Sequence, residues 1–188
     1  MVSTYSQLQK DFVRGREGED VVQEFLEKSL SITTENLGKT CPYWDLDGRD
    51  MFEALTKAKK DVSNYKKYGV TYEVKRDDTS QKTGNFYFEV WSNRQHLNAG
   101  CIPNCKADTL VIVSGKTYYF LNRALFYTWV FENLFLDTDL ARDWKSRTSK
   151  ASGNKGMVPA KNNSDVEGIL LPLEHLKKSY ACIEVFNG

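Results

Sequence analysis

The chain has 188 residues, of which 40% are hydrophobic and 13% aromatic, enough for one globular domain with a sizeable core. That composition excludes a disordered, collagen-like or coiled-coil chain. No apolar run approaches the ~20 residues of a membrane span, and polar Met1–Gln9 lacks the apolar stretch of a signal peptide. The expectation is a soluble, cytoplasmic or intracellular protein with no membrane partner. The net charge of +1 conceals segregation: Lys57–Arg76 holds seven basic and two acidic residues, and Arg142–Lys161 six and one. Two basic segments on an otherwise acidic chain fit a polyanion partner, or else solvated helix and loop faces.

Taken in chain order, Glu17–Leu30 predicts a helix with Val21, Val22, Phe25, Leu26 and Leu30 on one stripe. Cys41–Asp47 reads as a strand ending at the turn signal Asp47-Gly48, and lysine-rich Asp50–Tyr68 as a surface helix. Val70–Asp77, Asn85–Ser92 and Thr109–Ser114 read as strands, the last pairing with Tyr118–Leu121 through Gly115-Lys116. Arg123–Phe135 predicts a buried helix and Lys145–Asp165 a mobile basic loop. Ile169–Leu176 and Tyr180–Phe186 close the chain as a short helix and an edge strand. The order describes an α/β chain, a single domain over residues 1–188.

In a strand, alternate residues share a face. Glu73 and Lys75 therefore point one way, and Tyr72 and Val74 into the core. In the preceding strand Asp45 and Asp47 share a face. If the two strands pair, carboxylates and a lysine converge, as a hard cation that keeps several waters requires. Glu19 falls inside the apolar stripe of the first helix, where a carboxylate must be paired, bound, or stabilising the helix dipole. The bland alternative is an exposed Glu-x-Lys ion pair worth at most ~1 kcal/mol.

A helix bearing Gly18-Glu19, then Asp45, then Glu73-Val74-Lys75 resembles the PD-(D/E)xK nuclease superfamily. Thr83-Gly84-Asn85, the aromatic strand Phe86–Val90 with Glu89, and Lys106-Ala107-Asp108 are similar to its small phage- and virus-type members. Holliday junction resolvases belong to the same superfamily. The resemblance covers about residues 15–125 and leaves 126–188 as a C-terminal extension carrying the basic loop 145–165. It implies a restriction-endonuclease-like αβββαβ core with a mixed central sheet, Mg²⁺ or Mn²⁺ dependence, and phosphodiester cleavage. By position, Asp45 and Glu73 would be metal ligands, Lys75 the catalytic lysine, and Glu19 the helix-borne acid completing the site. The chain departs from the pattern because Pro42 lies three residues before Asp45 and the gap from Asp45 to Glu73 is long. Asp47 and Asp50 stay rival ligands.

Other positions are expected nearer the periphery. Glu89 shares a strand face with Tyr87 and Trp91 and is placed to reach the site, with Gln95 following. Tyr87 and Trp91 are candidates for stacking on a base or for covering a core. Lys57, Lys59, Lys60, Lys66, Lys67 and Arg76 form one candidate phosphate track, and Lys145, Arg147, Lys150 and Lys155 another. Cys41, Cys101, Cys105 and Cys182 show a single close spacing, and His96 and His175 are not placed near it, so reduced thiols are the expectation. No phosphate-loop motif is present, so no nucleotide cofactor is expected, and no Gly-x-Ser-x-Gly or His-Glu-x2-His motif occurs. The expected function is a metal-dependent DNA endonuclease, plausibly a homodimer. The alternatives are a binding protein that lost catalysis, or an RNA endonuclease, which usually adds a helix-borne histidine that the first helix lacks.

Overall fold

The computed structural model describes residues 5–34, 70–153, 157–160 and 163–187. The chain is α/β. Helix α1 (Tyr5–Ser29) is followed by β1 (Tyr72–Arg76), the single turn α2 (Ser80–Thr83), β2 (Asn85–Asn93), β3 (Asn98–Ala99) and the short α3 (Cys101–Asn104). Then come β4 (Thr109–Ser114), β5 (Thr117–Asn122), α4 (Arg123–Phe135), α5 (Asp139–Ser152), β6 (Val158–Ala160), β7 (Asn163–Pro172), α6 (Leu173–Lys178) and β8 (Cys182–Asn187). The strands form two sheets, β1-β4-β5-β8 and β3-β2-β7-β6. The first is mixed: β1 runs parallel to β4, while β4–β5 and β5–β8 are antiparallel.

Strand β4 is buried at every position, which explains its unbroken apolar run Leu110-Val111-Ile112-Val113. Its two faces feed two cores. Val111 and Val113 meet Val22 and Leu26 of α1, with Tyr118, Phe120 and partly buried Phe25, Tyr72 and Val74. Leu110 and Ile112 meet the larger core of Phe86, Phe88, Ile169 and Leu171 from the second sheet, closed over by α4, α5 and α6. Helix α1 packs tightly on β1 at Gly18, where a Cβ would sit 3.0 Å from that of Arg76. That approach turns the helix toward Gly18, Val22 and Leu26, and leaves Val21 and Leu30 of the expected stripe exposed.

Strand β2 does not join β1. It pairs antiparallel with β7, Phe86 opposite Leu171 and Phe88 opposite Ile169, so four apolar side chains face the core together. The segment expected as a C-terminal extension thus contributes a strand to each sheet: β7 beside β2 and β8 beside β5. The expectation of a basic loop over 145–165 is corrected. Residues 145–152 complete α5, and the remainder holds β6 and the first three residues of β7. Ala141, Trp144 and Thr148 recur at helical spacing and are buried, while the lysines and serines that suggested a loop occupy the outer face. Thr138 caps the helix by accepting from Ala141 N, and Thr148 Oγ1 accepts from Leu170 N at 3.0 Å.

Asp77 organises the turn that carries the chain from one sheet to the other. Its Oδ1 accepts from Thr79 N and Ser80 N, both at 3.0 Å, and its Oδ2 from Tyr87 N at 3.1 Å. Asp77→Ala is expected to cost about 1.5–3 kcal/mol, since three amide donors lose a charged acceptor. Asp77→Asn, which keeps one acceptor oxygen, should cost less. In urea titrations the midpoint should fall with the slope unchanged; equal midpoints for wild type and alanine variant would refute the role.

The next residue closes an ionic network. Asp78 lies 2.8 Å from Arg14 Nε and 2.9 Å from Arg76 Nε, and Arg76 Nη1 lies 3.2 Å from Glu17. Burial pushes the Asp78 carboxyl up, but the Arg76 hydrogen bond and the charges of Arg14 and Arg76 outweigh it and hold it below the usual carboxylate range. A carboxyl depressed in the folded state stabilises above its unfolded value of about 3.9 and loses that contribution as pH falls through the folded value. Because Asp78 is well exposed, Asp78→Asn should cost only ~0–1 kcal/mol at pH 7. The difference in melting temperature between the two proteins should vanish near pH 2.

Candidate active site

The parallel pairing places Glu73 opposite Leu110 and Lys75 opposite Ile112, with Val74 opposite Val111 and Arg76 opposite Val113. Paired residues share a sheet face. Glu73 and Lys75 therefore lie on the face of the larger core, and Val74 and Arg76 on the face covered by α1, the alternation expected from sequence. Register is set just before the strands begin. Asp108 Oδ2 accepts from Thr71 N at 2.9 Å and from Thr71 Oγ1 at 2.7 Å, while Asp108 N donates to Thr71 O at 3.1 Å. Among the described residues β1 is an edge strand. Lys75 Nζ and Glu73 Oε1 are 2.5 Å apart, and the side chains are 29% and 37% exposed, half-buried rather than solvated freely.

Three further groups surround this pair. The Cys105 thiol is pushed up by burial first and then by the Glu73 carboxylate, against the opposing charges of Lys75 and Arg123. It is a free thiol, as is Cys182. Arg123, the first residue of α4, donates from Nε to Ala107 O at 3.0 Å and from its backbone N to Asp108 O at 3.1 Å. Gly100 approaches β2 so closely that a Cβ would stand 2.3 Å from Glu89 O and 2.8 Å from Glu89 Cγ. The segment Gly100–Cys105 thus leads from Glu89 to the neighbourhood of Glu73 and Lys75. The sequence reading gives no role to Arg123 or to the Asp108–Thr71 clamp, since no local spacing links either to β1.

Glu19 sits on α1, the helix covering the opposite face of β1, and is half-buried beside Gly18. It and the Glu73–Lys75 pair flank β1 from its two sides. Asp45, Asp47 and Asp50 lie outside the described residues, as do Lys57, Lys59, Lys60, Lys66, Lys67, Lys155 and the predicted strand and helix over 41–68.

The expectation that Glu89 shares a face with both Tyr87 and Trp91 is corrected. Glu89 pairs with Gly168 and Trp91 with Glu167, a bulge that inserts one residue into β2. Adjacent residues of β7 point opposite ways, so Glu89 and Trp91 do too. Tyr87 stays with Glu89, and its hydroxyl donates to Val158 O at 2.9 Å, bracing β6. Arg94 lies 5.2 Å from the Trp91 ring centroid, and Gln95 donates to Asp165 Oδ1 at 2.9 Å in the turn after β2.

Several expected phosphate contacts are already matched by acids. Arg76 faces Asp78 and Glu17, Lys145 lies 2.6 Å from Asp137, and Arg147 2.8 Å from Asp143. Lys150 is exposed in the last turn of α5.

Among the described residues, no three His, Cys, Asp or Glu side chains group closely enough to hold a metal ion, and no helix is long and apolar enough to cross a membrane. Glu73 nonetheless fits part of a Mg²⁺ or Mn²⁺ site, because such ions take one or two carboxylates and retain waters. No family model, no curated protein and no solved structure matches the chain.

Proposed function

We propose that the protein is a divalent-metal-dependent DNA nuclease, an endonuclease of the restriction-endonuclease-like type, with its reaction centred on Glu73 and Lys75. The observation that carries the reading is the Glu73–Lys75 pair itself. A carboxylate and an ammonium are held together on a strand that is at the sheet edge among the described residues, both half-buried. In this reading Glu73 presents a hard oxygen donor, with Asp45 as the further acid, while Glu19 on the other side of β1 stays outside the site. A bound Mg²⁺ or Mn²⁺ would neutralise charge on the attacking and leaving oxygens of the phosphodiester. Lys75 orients the attacking water and places a positive charge beside the developing phosphorane. The parallel register and the Thr71–Asp108 clamp hold both groups on rigid backbone, as a pre-organised site needs.

The test is a cleavage panel of supercoiled plasmid, linear duplex, single strand, four-way junction and RNA, each with Mg²⁺, Mn²⁺ or EDTA. A Glu73→Ala, Lys75→Ala double variant runs beside the wild type. Metal-dependent cutting of DNA that the double variant lacks is the expected result. Binding to DNA with no cutting in any metal would leave a nucleic-acid-binding protein. Preferential cutting of RNA would move the reading to an RNA endonuclease.

A further inference from the structure

The arginines of this chain are not used alike. Arg14, Arg76, Arg94, Arg142 and Arg147 each lie against a carboxylate. Arg123 instead spends Nε on the Ala107 carbonyl, and among the described residues its two Nη groups meet no acid. Its backbone N donates to Asp108 O, so the residue is fixed where the chain enters β4. Asn122 pairs with Thr109 on one side of that strand, and Glu73 pairs with Leu110 on the other. Two strand spacings, about 10 Å, thus separate the backbones carrying Arg123 and Glu73. A half-buried guanidinium that no carboxylate neutralises, with its fork of Nη donors unspent, suits an incoming anion with paired oxygens.

We propose that Arg123 binds a phosphate of the DNA strand next to the one at Glu73 and Lys75, and so sets where the strand lies on the sheet edge. This rests on the nuclease reading for its substrate class. Ala107 orients the guanidinium through Nε, and the Nη pair faces the phosphate oxygens. Lysine preserves the charge without the fork, and glutamine preserves a donor for Ala107 without the charge. The three side chains therefore separate a structural role from a binding one.

The experiment measures fluorescence anisotropy of a labelled 20-base-pair duplex in EDTA over a salt series, for wild type, Arg123→Gln, Arg123→Lys and the control Arg142→Ala. Cleavage with Mn²⁺ and thermal melting are followed in parallel. Arg123→Gln should melt like wild type, bind about 10-fold more weakly, and lower the slope of log affinity against log salt by about 0.9, the loss of one phosphate contact. Arg123→Lys should keep the slope, and Arg142→Ala should change neither quantity. In cleavage, KM should rise more than kcat falls. An unchanged affinity and slope for Arg123→Gln would overturn the proposal. So would a wild-type protein that binds no DNA. Cleavage that depends on Glu73 while Arg123→Gln behaves as wild type would overturn the Arg123 assignment alone and leave the nuclease reading standing.

Discussion

Lys75→Ala should leave the thermal midpoint nearly unchanged and lower the rate of metal-dependent plasmid cleavage by about 10²–10³-fold, the usual effect of deleting one group that stabilises developing charge. The two halves of that expectation have different origins. The pair is about one-third exposed, and an ion pair so exposed stabilises by no more than ~1 kcal/mol. The same ammonium, placed beside a reacting phosphate, acts on the transition state alone and so lowers kcat more than it alters KM. Glu73→Gln keeps shape and volume while removing the charge that would hold a cation. It should be at least as damaging and should not be rescued by raising Mn²⁺ a few-fold. Initial rates on supercoiled plasmid, fitted at saturating substrate, measure both variants. Activity within threefold of wild type for Glu73→Gln would sink the mechanism, whatever the fold.

Trp144→Ala carries the largest stability cost, about 3–5 kcal/mol, the range for emptying a fully buried aromatic site. The indole is completely buried between α5 and the larger core, with Trp129 edge-on at a centroid distance of 5.0 Å. Its Nε1 donates to His175 Nδ1 at 3.0 Å, which fixes the ring proton of that histidine on Nε2 and ties α5 to α6. At ~2–4 °C per kcal/mol for a chain of this size, the melting temperature should fall by roughly 10 °C. Trp144→Phe fills most of the cavity but leaves the histidine nitrogen without its donor, so it should fall in between. A drop under 3 °C for the alanine variant in a circular-dichroism melt would mean that α5 does not anchor this core.

Cleavage chemistry and core stability are thus expected to separate cleanly, because the residues assigned to each lie in different surroundings. Glu73 and Lys75 are half-buried on β1, whereas Trp144 is fully enclosed in the larger core. A variant that loses activity with its melting curve intact therefore reports on the site, and one that loses both reports on the fold.

What the sequence by itself determined was local. The apolar run of β4, the alternation of Tyr72-Glu73-Val74-Lys75, the β4–β5 hairpin and the helix at Arg123–Phe135 all follow from periodicities within a dozen residues, though that helix buries only Phe126, Trp129 and Val130 and leaves Leu125, Phe131 and Phe135 exposed. The Glu73–Lys75 pair was legible for the same reason, since two residues of one strand share a face by geometry alone. The tertiary structure decided the rest. Nothing local assigns β2 to β7 rather than β1; that choice depends on Phe86 and Phe88 meeting Ile169 and Leu171, more than eighty residues along the chain. The β2 bulge moved Trp91 to the other face from Glu89, because one inserted residue reverses every side chain beyond it. Asp137 and Asp143 beside Lys145 and Arg147, and the lack of any acid at Arg123 among the described residues, are set by the fold alone. Charge is written in the sequence. Whether a charge is neutralised depends on which carboxylate the fold brings within a few ångströms.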